Sequence, residues 1–135
     1  MTDRRAFLKT SAVAFSALAL SRTSPVIASG GGGYIGIVYT KDNPGKWAKK
    51  VASHAPVVNV VGSKVTVETK HGMSEAHFIV RHTLVLADGV VVGAKTFTAK
   101  DKPVSTYTLP QGYKGTLYAT SFCNLHDFWL TEVTV

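Results

Sequence analysis

The sequence contains very little cysteine, with Cys123 as the single thiol among 135 residues. One cysteine excludes an internal disulfide framework, and it excludes a four-cysteine zinc or iron–sulfur site within one chain. Charged residues make up only 17% of the chain and apolar residues 45%, which excludes an intrinsically disordered protein. The length favours one domain with a small hydrophobic core.

Long apolar runs are also missing. The stretch Ala12–Leu20 covers about nine residues, well under the roughly 20 that span a bilayer. It follows Arg4-Arg5 and precedes Val26-Ile27-Ala28, a sequence with small or modest residues before a cleavage point. This layout predicts a twin-arginine-type signal peptide at residues 1–28 and a periplasmic or otherwise exported protein without stable membrane insertion. An amphipathic or anchoring N-terminal helix is the alternative.

Acidic residues are few, 8 against 15 basic ones, so the formal net charge is +7. The predicted signal contains four of the cations and one of the anions, so the remaining chain carries +4. In that remainder, Lys49-Lys50 is the densest basic feature, and no aromatic residues alternate with it. We therefore expect no nucleic-acid partner.

After a glycine-rich leader at residues 29–33, the chain is rich in strand-forming residues, since Val, Ile and Thr contribute 31 of the 107 residues that follow Ala28. Gly62-Ser63 and Asp88-Gly89 are hairpin signals between apolar runs. The turn spacing predicts an all-β, antiparallel β-sandwich of about seven to eight strands, with a small barrel as the alternative. The predicted strands are 34–40, 57–61, 64–69, 78–87, 90–97, 105–109, 116–122 and 128–135.

One short helix is predicted over 44–53, with Asn43 as its N-cap and Pro44 in its first turn. Pro56 disfavours helix at the residue before it, so His54 is expected where this helix ends. Ends of elements and loops are where ligands are commonly mounted on a rigid sandwich.

The histidines and the cysteine have informative spacings. His71 and His77 are six residues apart, so an extended chain would turn both side chains to one side. Cys123 and His126 meet only if the chain turns between them, which Asn124 tolerates. His82 is five residues from His77 and is expected to face away, on the surface or packed beside its strand neighbours Phe78 and Val80. These patterns alone allow zinc, copper or iron.

Three segments together resemble the superoxide reductase family, specifically the one-iron, neelaredoxin-like form and the iron domain of desulfoferrodoxin. They are His54-Ala55-Pro56-Val57-Val58, His71-Gly72-Met73-Ser74-Glu75-Ala76-His77-Phe78-Ile79, and Cys123-Asn124-Leu125-His126 followed by Trp129. The resemblance implies an immunoglobulin-like sandwich over residues 34–135. It also implies a mononuclear non-haem iron with four histidines in a plane, an axial thiolate and an open sixth position facing solvent. The implied ligands are His54, His71, His77, His126 and Cys123.

The resemblance further implies one-electron reduction of superoxide to hydrogen peroxide, with electrons from an external donor protein, and possible homo-oligomers by analogy. Family members typically carry Glu-Lys before the first ligand histidine, whereas this chain has Ala52-Ser53. Lys49 and Lys50, slightly upstream, are the candidates for attracting superoxide in place of the missing lysine. The alternative function is a non-catalytic iron-binding redox carrier or sensor that has lost this pair.

Overall fold

The computed structural model of the protein describes Tyr34 and residues 36–135. The predicted signal peptide at residues 1–28 and the glycine-rich leader at 29–33 lie outside the described residues and stay predictions. Within the described part of the chain, no helix has the length and apolar character needed to cross a membrane.

In the part of the chain that the structure describes, eight strands form two sheets that pack as a β-sandwich, which confirms the predicted fold class. The larger sheet has the order β1-β8-β7-β4-β5 and the smaller one β2-β3-β6. Neighbouring strands are antiparallel except β1 and β8, which run parallel. The strands are β1 (Val38–Tyr39), β2 (Val57–Val61), β3 (Lys64–Glu68), β4 (Ile79–Leu86), β5 (Val91–Thr96), β6 (Val104–Thr108), β7 (Thr116–Cys123) and β8 (Asp127–Thr134).

The hydrophobic core lies between the two sheets, because alternate residues of β3, β4 and β7 point inward. Val65 and Val67 of the smaller sheet pack with Leu84 and Leu117 of the larger one, and all four are fully buried. Burial of each such side chain stabilises the fold by about 1.5–3 kcal/mol. Both predicted hairpins are confirmed, and Gly62 and Gly89 take the left-handed conformation that each turn requires.

The first strand is much shorter than predicted. The sequence pattern predicts a strand over 34–40, but of these residues only Val38 and Tyr39 pair with β8. A turn replaces the earlier part, because the backbone N–H groups of Ile37 and Val38 both donate to the carbonyl oxygen of Tyr34. Gly36, with φ of 86°, makes this turn possible, and the strand therefore begins only after it.

The predicted helix is present but is divided into a 3-10 helix, Gly45–Lys50, and a one-turn α-helix, α1 (Val51–His54). Asn43 is not the N-cap; Pro44 occupies that position, without a side-chain capping bond. Asn43 is instead held in a turn in which its backbone N–H donates to Thr40 Oγ1 and its carbonyl oxygen accepts from the Thr40 N–H. Gly45, with φ of 49°, prevents a regular α-helical first turn.

His82 stays apart from the other four histidines, as predicted, but the expectation that it lies on the surface or beside Phe78 and Val80 was wrong. Its side chain is 0% exposed and lies between the two sheets, with its ring 4.8 Å from that of Phe97. Nδ1 of His82 is 2.9 Å from Ser105 Oγ and Nε2 is 2.8 Å from Thr69 Oγ1, which also contacts Ser121 Oγ at 2.7 Å. These hydroxyl groups give both ring nitrogens a hydrogen-bond partner, so the imidazole can be buried between the sheets without an unsatisfied polar atom.

Candidate metal centre

Four histidines and the single cysteine come together at one end of the sandwich. One ligand atom from each of these five side chains lies within 4.8 Å of all the others. We call this group the histidine–cysteine cluster; it consists of His54, His71, His77, Cys123 and His126. Three chain segments supply it: the end of α1, the connection between β3 and β4, and the turn between β7 and β8.

His54 is the last residue of α1, as the sequence predicted, and it is 2% exposed. The helix ends there because Ala55, which precedes Pro56, is extended with φ of −66° and ψ of 121°. Nδ1 of His54 lies 3.2 Å from the Lys50 carbonyl oxygen. A carbonyl oxygen only accepts hydrogen bonds, so Nδ1 carries the proton and Nε2 presents its lone pair to the cluster.

His71 and His77 meet with their Nε2 atoms 2.9 Å apart, but not because the chain is extended between them. Residues 69–78 form an irregular connection, so the prediction of an extended chain between the two histidines was wrong. A tight turn brings His77 back, since the N–H of Ser74 donates to the His77 carbonyl and the N–H of His77 donates to the Ser74 carbonyl.

Cys123 and His126 are brought together by the turn between β7 and β8, as predicted. Cys123 pairs with Asp127 across this turn, and Asp127 adopts a positive φ of 66°. The sulfur lies 3.7 Å from His126 Nδ1 and 3.9 Å from His71 Nε2. On its other side Cys123 is buried against Ile79.

Asn124 joins two of the three segments. Its Oδ1 accepts from the N–H of Phe78 at 3.0 Å, and its Nδ2 donates to the carbonyl oxygen of Ala76 at 3.1 Å. Its own backbone N–H donates to the Phe78 carbonyl. The residue between Cys123 and His126 therefore ties their turn to the connection that carries His77.

The spacing of the imidazole nitrogens fits a bound metal ion. His126 Nδ1 lies 3.1 Å from His54 Nε2 and 2.9 Å from His77 Nε2, which is in turn 2.9 Å from His71 Nε2. Two nitrogens at right angles around a metal about 2.1 Å away would lie about 3.0 Å apart. Imidazole and thiolate are ligands that suit transition metals such as iron, copper and zinc. The residues therefore fit a mononuclear metal centre.

The surroundings of His54, His71 and His126 favour the neutral imidazole, which is the form that binds metals. Burial, together with the neighbouring His71 and His126, lowers the pKa of His54 to about 4. Burial and the nearby His77 lower the pKa of His71 and that of His126 below their usual range. At neutral pH these three imidazoles are therefore available as ligands.

The sequence profile of the Desulfoferrodoxin family matches residues 46–132, which include the whole cluster. This chain belongs to the Desulfoferrodoxin family. It is similar to the superoxide reductase of Pyrococcus abyssi, with 32% identity over 106 positions that cover 66% of this chain and 90% of that protein. A match to the superoxide reductase of Pyrococcus furiosus is 40% identical over 45 residues, but it covers only 36% of that protein.

The fold is also that of solved members of this group. The structure of a superoxide reductase (neelaredoxin) from Ignicoccus hospitalis aligns with a TM-score of 0.63 and 27% identity, covering 73% of this chain and 93% of that one. The resemblance stated from the sequence is therefore confirmed at the level of the family and of the sandwich.

Lys49 and Lys50 lie just before Ala52-Ser53, the position at which Desulfoferrodoxin family members typically carry Glu-Lys. The two lysines lie on different sides of the helical segment. Lys50 is partly buried, and its charge contributes to the lowered pKa of His71 and of His126. Lys49 is exposed and lines a groove beside Ala52 and Val57. Lys50 is thus the one whose charge acts on the cluster.

Trp47 and Asp127 are neighbours of the histidine–cysteine cluster that the sequence patterns did not indicate. The ring of Trp47 meets that of His126 edge-on, with centroids 4.7 Å apart. Its Nε1 donates to Asp127 Oδ2 at 2.9 Å, and Lys46 lies 3.5 Å from the same carboxylate oxygen. Trp47 and Asp127 are 80 residues apart in the chain, so no local pattern pointed to their contact.

Proposed function

We propose that the protein is a superoxide reductase, which reduces superoxide by one electron to hydrogen peroxide at a mononuclear iron. His54, His71, His77, His126 and Cys123 would hold the iron, and an external protein would supply the electrons. The convergence of these five ligand atoms, in a chain of the Desulfoferrodoxin family, is the observation that carries the proposal.

The reaction takes up one electron and two protons for each superoxide anion and forms one molecule of hydrogen peroxide. Iron held in the cluster would supply the electron by passing from the +2 to the +3 state. Imidazole ligands bind metals in their uncharged form, so four of them would leave most of the charge of a ferrous ion uncompensated, which would favour the approach of an anion. The thiolate of Cys123 would donate electron density to a bound iron, as cysteine ligands do in haem enzymes, and so would favour electron release.

The burial pattern supports access from one side of the cluster. Cys123 and His54 are 1% and 2% exposed, whereas His71, His77 and His126 keep part of their surface in solvent. A small anion would therefore approach past these three imidazoles, while the sulfur stays in the apolar interior beside Ile79.

The decisive test is a superoxide pulse given to the purified, iron-loaded, reduced protein. We expect second-order oxidation near the diffusion limit, with formation of hydrogen peroxide, because the ferrous-loaded cluster would carry a net positive charge and is partly open to solvent. Slow oxidation would favour the redox carrier or sensor, a function that the reductase relatives do not favour. An iron-loaded protein that superoxide does not oxidise would contradict the proposal.

Lys50, and not Lys49, is proposed to attract superoxide. Replacing Lys50 by alanine should slow the oxidation about two- to fivefold at low ionic strength, because one unit charge near the path of the anion is worth about 0.5–1 kcal/mol in water. The loss should shrink as salt is added. Lys49→Ala is the matched control, since Lys49 lines the groove beside Val57. A larger loss in Lys49→Ala than in Lys50→Ala would reject the assignment.

Export is part of the proposal. The predicted twin-arginine-type signal at residues 1–28 supports a periplasmic or otherwise exported protein, and this pathway carries proteins that fold and take up their metal before export. The electron donor would then be a protein of the same compartment.

A further inference from the structure

Ser53 occupies the position where family members typically carry the lysine of the Glu-Lys pair. Its side chain contacts the ring of His54, a member of the histidine–cysteine cluster. Its Oγ lies 2.8 Å from His54 Nδ1 and 3.2 Å from the carbonyl oxygen of Lys50. The same carbonyl oxygen lies 3.2 Å from His54 Nδ1. The three groups therefore form a closed triangle on the side of the His54 ring that faces away from the other ligands.

Only one arrangement of hydrogens satisfies this triangle. The Lys50 carbonyl oxygen accepts and never donates, so the Ser53 hydroxyl donates its one hydrogen to it. The hydroxyl oxygen is then free to accept from Nδ1–H of His54. An unprotonated Nδ1 would instead place its lone pair against the Lys50 carbonyl oxygen. The triangle therefore selects the tautomer in which Nε2, 3.1 Å from His126 Nδ1, carries the free lone pair.

We propose that Ser53 is a positioning residue of the metal centre, whose hydroxyl holds His54 in the tautomer and ring orientation that present Nε2 to the metal. The proposal rests on the proposed function only in taking His54 as a ligand. Hydrogen bonds to the second nitrogen of a ligand histidine typically change metal affinity by about 10- to 100-fold.

The test is the affinity of the full chain for Co²⁺, measured by competition with a chromophoric chelator at pH 7. Ser53→Ala should weaken binding about tenfold, at the lower end of the usual range because the Lys50 carbonyl still accepts from Nδ1. Ser53→Thr restores the hydroxyl and should bind as the unchanged protein does. Ser63→Ala is the matched control, because Ser63 is exposed in the turn between β2 and β3, and it should leave the affinity unchanged.

A second readout reports the tautomer directly. In the Zn²⁺-loaded protein, the Nδ1–H of His54 should be observable by histidine ¹⁵N NMR and should exchange with water faster in Ser53→Ala than in Ser53→Thr. Equal affinity and equal exchange in Ser53→Ala and the unchanged protein would overturn the inference. So would an equal loss in Ser53→Ala and Ser53→Thr, since packing alone would then explain it.

These measurements separate this inference from the proposed activity. They use Co²⁺ and Zn²⁺ without superoxide, so a protein that binds both metals but does not react with superoxide would still decide the role of Ser53. If the unchanged protein bound neither metal, the metal centre itself would be rejected and the inference with it.

Discussion

Replacement of Cys123 by alanine should abolish the visible thiolate-to-iron charge-transfer band of the ferric protein. The sequence contains no other cysteine, so no second thiolate is available to the iron. Sγ is 3.7 Å from His126 Nδ1 and belongs to the group of ligand atoms within 4.8 Å of one another. An absorption spectrum of the iron-loaded, oxidised variant, with metal analysis of the same sample, makes the measurement.

The loss must be separated from damage to the fold. Cys123 is 1% exposed and packs with Ile79 and Phe97, so its truncation also costs about 1 kcal/mol of stability. Met73→Leu is the matched control, because Met73 carries the other sulfur packed against this group. That variant should keep the band. A band that persists in Cys123→Ala would show that the thiolate is not an iron ligand.

Replacement of His82 by glutamine should make stability much less sensitive to acid. Burial, with a smaller contribution from the positive charge of Lys95, lowers the pKa of His82 in the folded protein to about 4. In the unfolded chain the imidazole titrates at its ordinary pKa of about 6.5. Unfolding therefore takes up a proton between these values, and the folded state loses stability as pH falls through this window. The difference of about 2.5 pKa units corresponds to about 3 kcal/mol.

The measurement is the free energy of unfolding of both proteins at several pH values from 7 to 4, with a chelator present so that metal release adds nothing. Glutamine does not titrate, and its amide can still bond the hydroxyls of Thr69 and Ser105. The cluster histidines are common to both proteins, so their contribution cancels in the difference. Stability curves that run parallel down to pH 4 would show that His82 is not held neutral by its surroundings.

Much of the sandwich was predictable from the sequence, because strands and tight turns depend on neighbours in the chain. The hairpins at Gly62 and Gly89 and the end of α1 at His54 were confirmed for this reason. The first strand was predicted too long, because the residues from Tyr34 onward favour a strand by composition while the backbone turns at Gly36. His82 was misplaced because strand parity shows which residues share a face but not which face is covered by the second sheet.

The sequence by itself singled out five candidate metal ligands, since the three motifs that contain His54, His71, His77, Cys123 and His126 carried the family resemblance. Only the tertiary structure decided how they are used. It selected the ring nitrogens that face the cluster, placed Trp47 against His126, and directed the Ser53 hydroxyl to His54. Such choices depend on distances between side chains carried by different elements. Those distances are set by strand register and by how the helical segment packs on the sandwich, and no local pattern in the chain encodes them.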